Sequence, residues 1–190
     1  MAVVRTHFKP RGKVGNAWAI ENVRYIQHRP GKDNERVMRP LFTSDGPMTR
    51  LEAFQFIDEA PKGTKFRTVI INPDPVHENP NQDLDMRAIA ILTMQTIAEI
   101  MREQGITTPI NWVAAIHDDH TDKHHVHALV AHQGRLDTPD VNRVRRITTE
   151  ACLEQRRELD RTRERQMRTR DKEQEGWELE PTLEEERWDT

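Results

Sequence analysis

The sequence predicts an α+β fold: a small, mainly antiparallel sheet with helices packed on one face, followed by a charged C-terminal helix. Three observations predict it. Apolar residues alternate, or form short β-branched runs, over residues 3–9, 66–72, 112–116 and 125–131, as strands require. They recur at three- and four-residue spacing over 17–28, 50–59 and 83–104, as helices with one buried face require. The resulting order is strand, helix, loop, helix, strand, helix, strand, strand, helix, which is that of an α+β domain without internal repeats.

Residues 3–9 make the first strand, and Pro10-Arg11-Gly12-Lys13 a basic turn after it. Asn16 is placed to cap a helix over 17–28, whose inner stripe is Ala19, Ile20 and Val23 and which ends before Arg29-Pro30-Gly31. Tyr25 falls roughly opposite that stripe, beside Trp18 one heptad earlier. Residues 30–47 are rich in Pro, Gly, Asp, Asn and Arg and read as a basic surface loop with one brief apolar stretch, Leu41-Phe42.

Thr49 and Glu52 form a capping-box pattern for a helix over 50–59, with Leu51, Phe54 and Ile57 facing inward and Pro61-Lys62-Gly63 stopping it. The β-branched run 66–72 is closed by Pro73-Asp74-Pro75. Residues 83–104 make the longest amphipathic helix, burying Leu84, Ile91, Met94, Ile97, Ala98 and Met101 and ending at Gly105. Residues 112–116 and 125–131 are strands joined most simply as a hairpin through the polar segment 118–124. From 148 to 175 Arg and Glu interleave at helical spacing, with few apolar residues beyond Ala151, Leu153, Leu159 and Met167; this is an exposed helix packed only at its start.

A length of 190 residues, with 35% hydrophobic and 32% charged, supports one lean domain and an extension. We divide it into a domain over 1–140, a charged helical extension over 141–175 and an acidic tail over 176–190. The single cysteine, Cys152, forms no internal disulfide, and no apolar run resembles a signal peptide or a membrane span, so a reducing cytoplasm and no membrane partner are expected. The formal net charge of −3 hides an asymmetry. Arg5, Lys9, Arg11, Lys13, Arg24, Arg29, Lys32, Arg36, Arg39 and Arg50 crowd the first fifty residues, while Glu178, Glu180, Glu184, Glu185, Glu186 and Asp189 load the tail. The basic end is the expected seat of a nucleic-acid partner.

The chemistry concentrates in Ile116-His117-Asp118-Asp119-His120-Thr121-Asp122-Lys123-His124-His125-Val126-His127. In a strand, His125 and His127 share one face, and Val126, Ala128 and Val130 the other. The partner strand turns Trp112, Ala114 and Ile116 one way and His117 the other, with Val113 and Ala115. The apolar face is expected to be buried and the histidines to stand on an open face. Across an antiparallel pair, side chains lie roughly 5 Å apart, close enough for imidazoles to converge on one ion and leave coordination positions for substrate. His120 is a rival to His117 as third ligand; the face argument favours His117 and leaves His120 and His124 to phosphate or solvent.

His125-Val126-His127, with His117 and Asp119 upstream, resembles the third motif of relaxases, the mobilisation nucleases of the HUH endonuclease superfamily, whose signature is His, a hydrophobic residue, His. The resemblance covers roughly residues 3–134 and implies a relaxase-like palm. It implies that His117, His125 and His127 bind a divalent cation, magnesium or manganese with zinc as an option, and that Asp119 orients a ligand imidazole. Where relatives are expected to carry serine at the end of the middle strand, this chain has Asn72.

Relaxases cut through a tyrosine hydroxyl that attacks a DNA phosphodiester and keeps a 5′-phosphotyrosine for rejoining. The chain has one tyrosine, Tyr25, on the first helix after an N-terminal strand, where the resemblance implies the nucleophile. A phenol with a pKa of about 10 needs help at neutral pH. Arg24 and Arg29 are candidates for backbone phosphates and Trp18 for a stacked base. The implied partners are single-stranded DNA at an origin of transfer and accessory mobilisation or coupling proteins. A water-using phosphodiesterase and a non-cutting DNA-binding or replication-accessory protein are the alternative readings.

Overall fold

The computed structural model describes residues 3–30, 35–118 and 124–178, with side chains described over 8–30, 35–118 and 124–172. The elements are β1 (Val3–Pro10), α1 (Lys13–His28), β2 (Leu41–Thr43), β3 (Gly46–Met48), α2 (Arg50–Glu59), β4 (Lys65–Asn72), α3 (Met86–Glu103), β5 (Asn111–His117), β6 (His125–His132) and α4 (Thr138–Glu178). The six strands form one sheet in the order β1-β4-β6-β5-β2-β3, and every adjacent pair is antiparallel. The α+β class and the antiparallel sheet are as the sequence predicts.

The helices do not keep to one face, and this corrects the sequence expectation. Val69, Ile71, Trp112, Ala114, Val126, Ala128 and Val130 pack under α3 and the start of α4, against Ile89, Met94, Ile97, Met101, Val144 and Cys152. On the opposite face Phe66, Val113, Ala115, Leu129 and Ala131 pack under α1 and α2, against Ala19, Val23, Ile26, Ala53 and Ile57. Each face carries enough apolar area to hold its own helical layer, at about 1.5–3 kcal/mol per large aliphatic side chain removed from water. The central strand β6 is buried along its whole length.

Two local expectations also change. The predicted loop over 30–47 contains β2 and begins β3, a short hairpin in which Leu41 pairs with Met48. Phe42 pairs with Ala114 of β5 and meets Trp112 edge to face at 5.9 Å, so a contact distant in sequence makes the strand. Leu51, expected inside, is exposed, and Ala53 takes the inner position beside Ile57. The capping box of α2 forms as expected, Thr49 accepting from the Glu52 amide and Glu52 from the Thr49 amide.

α1 starts at Lys13, four residues before the predicted 17, because the chain turns at Gly12 with φ 151°, a conformation open to glycine. Gly15 lets the helix pass close to the end of β1: a Cβ there would lie 1.9 Å from the Pro10 carbonyl oxygen. α4 docks through Val144, Thr148, Cys152 and Arg156. Asp83 accepts from Arg156 at 2.5 Å and from Arg163 at 2.6 Å, and beyond Arg163 the side chains described are exposed. Among the described residues no helix is long and apolar enough to cross a membrane.

Candidate metal centre

The register of the central hairpin builds the site. His117 pairs with His125, and Ala115 with His127. Directly opposed residues share a face, so the three imidazoles meet on the α1 side of the sheet. The His117 and His127 rings stack at 4.5 Å and 16°, and His125 lies 5.2 Å from His117 and 5.0 Å from His127. One nitrogen from each comes within 4.8 Å of the others, and among the described residues this is the one such group of three or more potential ligands.

The face is not open, as the alternation alone had suggested. α1 closes over it and leaves His117 at 0%, His125 at 8% and His127 at 6% exposure. Burial is the main reason that His117 is held down to about 4 and His127 to about 3, with the Arg39 charge and the neighbouring imidazoles acting in the same direction. Both rings are therefore neutral at physiological pH, the form in which imidazole offers a lone pair to a metal.

Which nitrogen His117 offers follows from its partner. Its Nε2–H donates to the Ile26 carbonyl at 2.8 Å, because a carbonyl can only accept. The lone pair is then on Nδ1, which is buried and has no hydrogen-bond partner. An orphaned acceptor inside a three-imidazole cluster fits a divalent cation. The helix carbonyl supplies the outer contact that fixes ring orientation in metal-binding histidines.

Tyr25 lies on the last turn of α1, 47% exposed. Its ring centroid is 6.0 Å from that of His127, and the Arg29 guanidinium lies 5.7 Å over the same ring. The tyrosine thus reaches solvent while one side meets the cluster. Arg24 is exposed, ion-paired with Glu21 and 5.6 Å over the Phe54 ring. Trp18 is half-buried against the α1–α2 core. His124 is half-buried just before β6, and Asn72 ends β4 with an unpartnered, buried Oδ1. Asp119 and His120 lie outside the described residues.

Sequence reasoning counted Arg39 only among the basic residues of a surface loop. It is 3% exposed. Its amide donates to Gln27 O at 2.9 Å and its Nη1 to Arg29 O at 2.8 Å. Nothing in the local pattern marks it, because its partners are main-chain carbonyls of a helix ten residues earlier. No family model, curated protein or solved structure gives a significant match to the chain.

Proposed function

We propose that the chain is a relaxase-type nuclease that nicks and rejoins single-stranded DNA through Tyr25, in the mobilisation of a plasmid or other mobile element. The observation that carries this reading is that the one tyrosine of the chain stands against His127 at the edge of a buried three-histidine cluster. His117, His125 and His127 would hold a divalent cation, manganese or magnesium by the resemblance and zinc by ligand type, which when bound would supply a Lewis acid for the scissile phosphate.

The chain's own residues do the rest. The Tyr25 oxygen attacks phosphorus, the bond to the 3′ oxygen breaks, and the phenolic proton ends on the freed 3′-hydroxyl. One phosphodiester replaces another, so the reverse attack by a 3′-hydroxyl rejoins the strand. A single tyrosine suffices for one nick and one rejoining. Arg29, over the Tyr25 ring, and the exposed Arg24 offer cations to the strand. The half-exposed phenol gives DNA access, while the buried histidines beneath it strengthen electrostatic interactions.

The test is incubation with circular single-stranded phage DNA and a randomised oligonucleotide pool in Mn²⁺ or Mg²⁺, followed by denaturing gels. The wild type should yield a DNA-linked protein band that Tyr25→Phe abolishes while metal binding persists. Cleavage that survives Tyr25→Phe would point to water as nucleophile. No adduct from the wild type with either DNA would leave a DNA-binding protein that does not cut.

A further inference from the structure

The C-terminal end of α1 is held by the site it serves. A helix leaves its last carbonyls without helical partners, and here two distant residues take them. Ile26 O accepts from His117 Nε2, Gln27 O from the Arg39 amide, and Arg29 O from Arg39 Nη1. The Arg29 amide still closes the last turn onto Tyr25 O. A buried guanidinium at a helix C-terminus also meets the negative end of the helix dipole. Its charge reaches the cluster as well, since it helps to hold His117 and His127 in the neutral form.

We propose that Arg39 is a positioning residue that locks the tyrosine-bearing end of α1 over the histidine cluster and so sets the distance between the Tyr25 phenol and a bound metal ion. His117 alone would leave one carbonyl tied, about which the end of the helix could pivot. Arg39 adds a main-chain and a side-chain anchor on either side of His28. The planar guanidinium reaches Arg29 O from a buried stem, a geometry that lysine's single ammonium only partly reproduces. Only the use of this distance for attack on DNA rests on the nuclease reading.

The single tyrosine makes the distance measurable without DNA. Protein grown with 3-fluorotyrosine carries one fluorine probe, at Tyr25, and Co²⁺ at the cluster shifts its ¹⁹F resonance in a distance-dependent way. The wild type should show one resonance and a large Co²⁺-induced shift. Arg39→Gln should still bind Co²⁺ by visible absorption, with the shift cut by half or more or the line split, and Arg39→Lys should fall between. An unchanged shift in Arg39→Gln with Co²⁺ bound, or no shift in the wild type, overturns the proposal. If Arg39→Gln loses its far-ultraviolet dichroism, Arg39→Lys decides: a wild-type shift in that variant overturns it, a reduced one supports it. Failure of the wild type to attach to DNA would sink the nuclease reading and leave this result standing.

Discussion

Acidification of the metal-free protein should unfold it in a way whose size follows from the buried imidazoles. His117 and His132 are held down to about 4 and His127 to about 3, burial being the first cause in each. In the unfolded chain each returns to about 6.5. A folded value below the unfolded one means that the unfolded chain binds more protons between the two. Stability is thus complete above about pH 6.5 and is lost as pH falls toward about 4 for His117 and His132 and about 3 for His127. Near pH 5 each histidine costs about 2 kcal/mol relative to neutral pH, and three such costs are large against a total of about 5–15 kcal/mol.

His132 isolates one share of this without touching the cluster. Its Nδ1–H donates to Gln133 O at 2.7 Å, and its Nε2 accepts from Arg67 Nε at 3.4 Å. Protonation would therefore set a second cation against a buried guanidinium. His132→Gln keeps a donor and an acceptor but does not titrate. Urea unfolding in EDTA near pH 7 and near pH 5 should show the variant losing about 2 kcal/mol less than the wild type. A wild-type stability that is flat over this range, or the same loss in the variant, would refute the reasoning.

Metal should act in the opposite sense. Mn²⁺ or Zn²⁺ at about a hundredfold excess over its dissociation constant should add about 2.7 kcal/mol, roughly 5–10 °C in thermal midpoint; EDTA should remove the gain and His127→Ala abolish it, and a gain untouched by His127→Ala would move the metal elsewhere. Gly15→Ala should cost about 1–3 kcal/mol or more in urea unfolding, because the Pro10 main chain cannot yield to a Cβ 1.9 Å away; wild-type stability would show that α1 is free to slide. Asp83→Asn should cost about 1–3 kcal/mol by leaving the buried Arg156 with Asp160 alone as its carboxylate, and an unchanged midpoint would mean that α4 is held by its apolar contacts.

Elements whose signal is local could be read from the sequence, and those made by distant contacts could not. α2 runs from Arg50 to Glu59 as predicted because Thr49 and Glu52 close its capping box within four residues. The β5–β6 hairpin and the shared face of His117, His125 and His127 follow from alternation alone. The same alternation misled about exposure. Histidines filled the polar positions of β6, so a strand buried on both faces resembled one with a wet side. β2 has three residues, too few to show a period, and depends on Phe42 reaching Ala114. Arg39 had no local signature because its role consists of reaching carbonyls on another element.

The length of α4 has a consequence of its own. Its 41 residues span about 60 Å at 1.5 Å per residue, and the stretch beyond the Arg163 anchor extends for roughly 22 Å. A flexible tether would let whatever follows wander through a volume set by chain entropy. A continuous helix acts instead as a fixed spacer, holding its far end at one bearing and one radius from the body. Any binding surface carried there would meet partners at a separation measured in helical turns, and each inserted residue would rotate it by about 100° as well as move it outward.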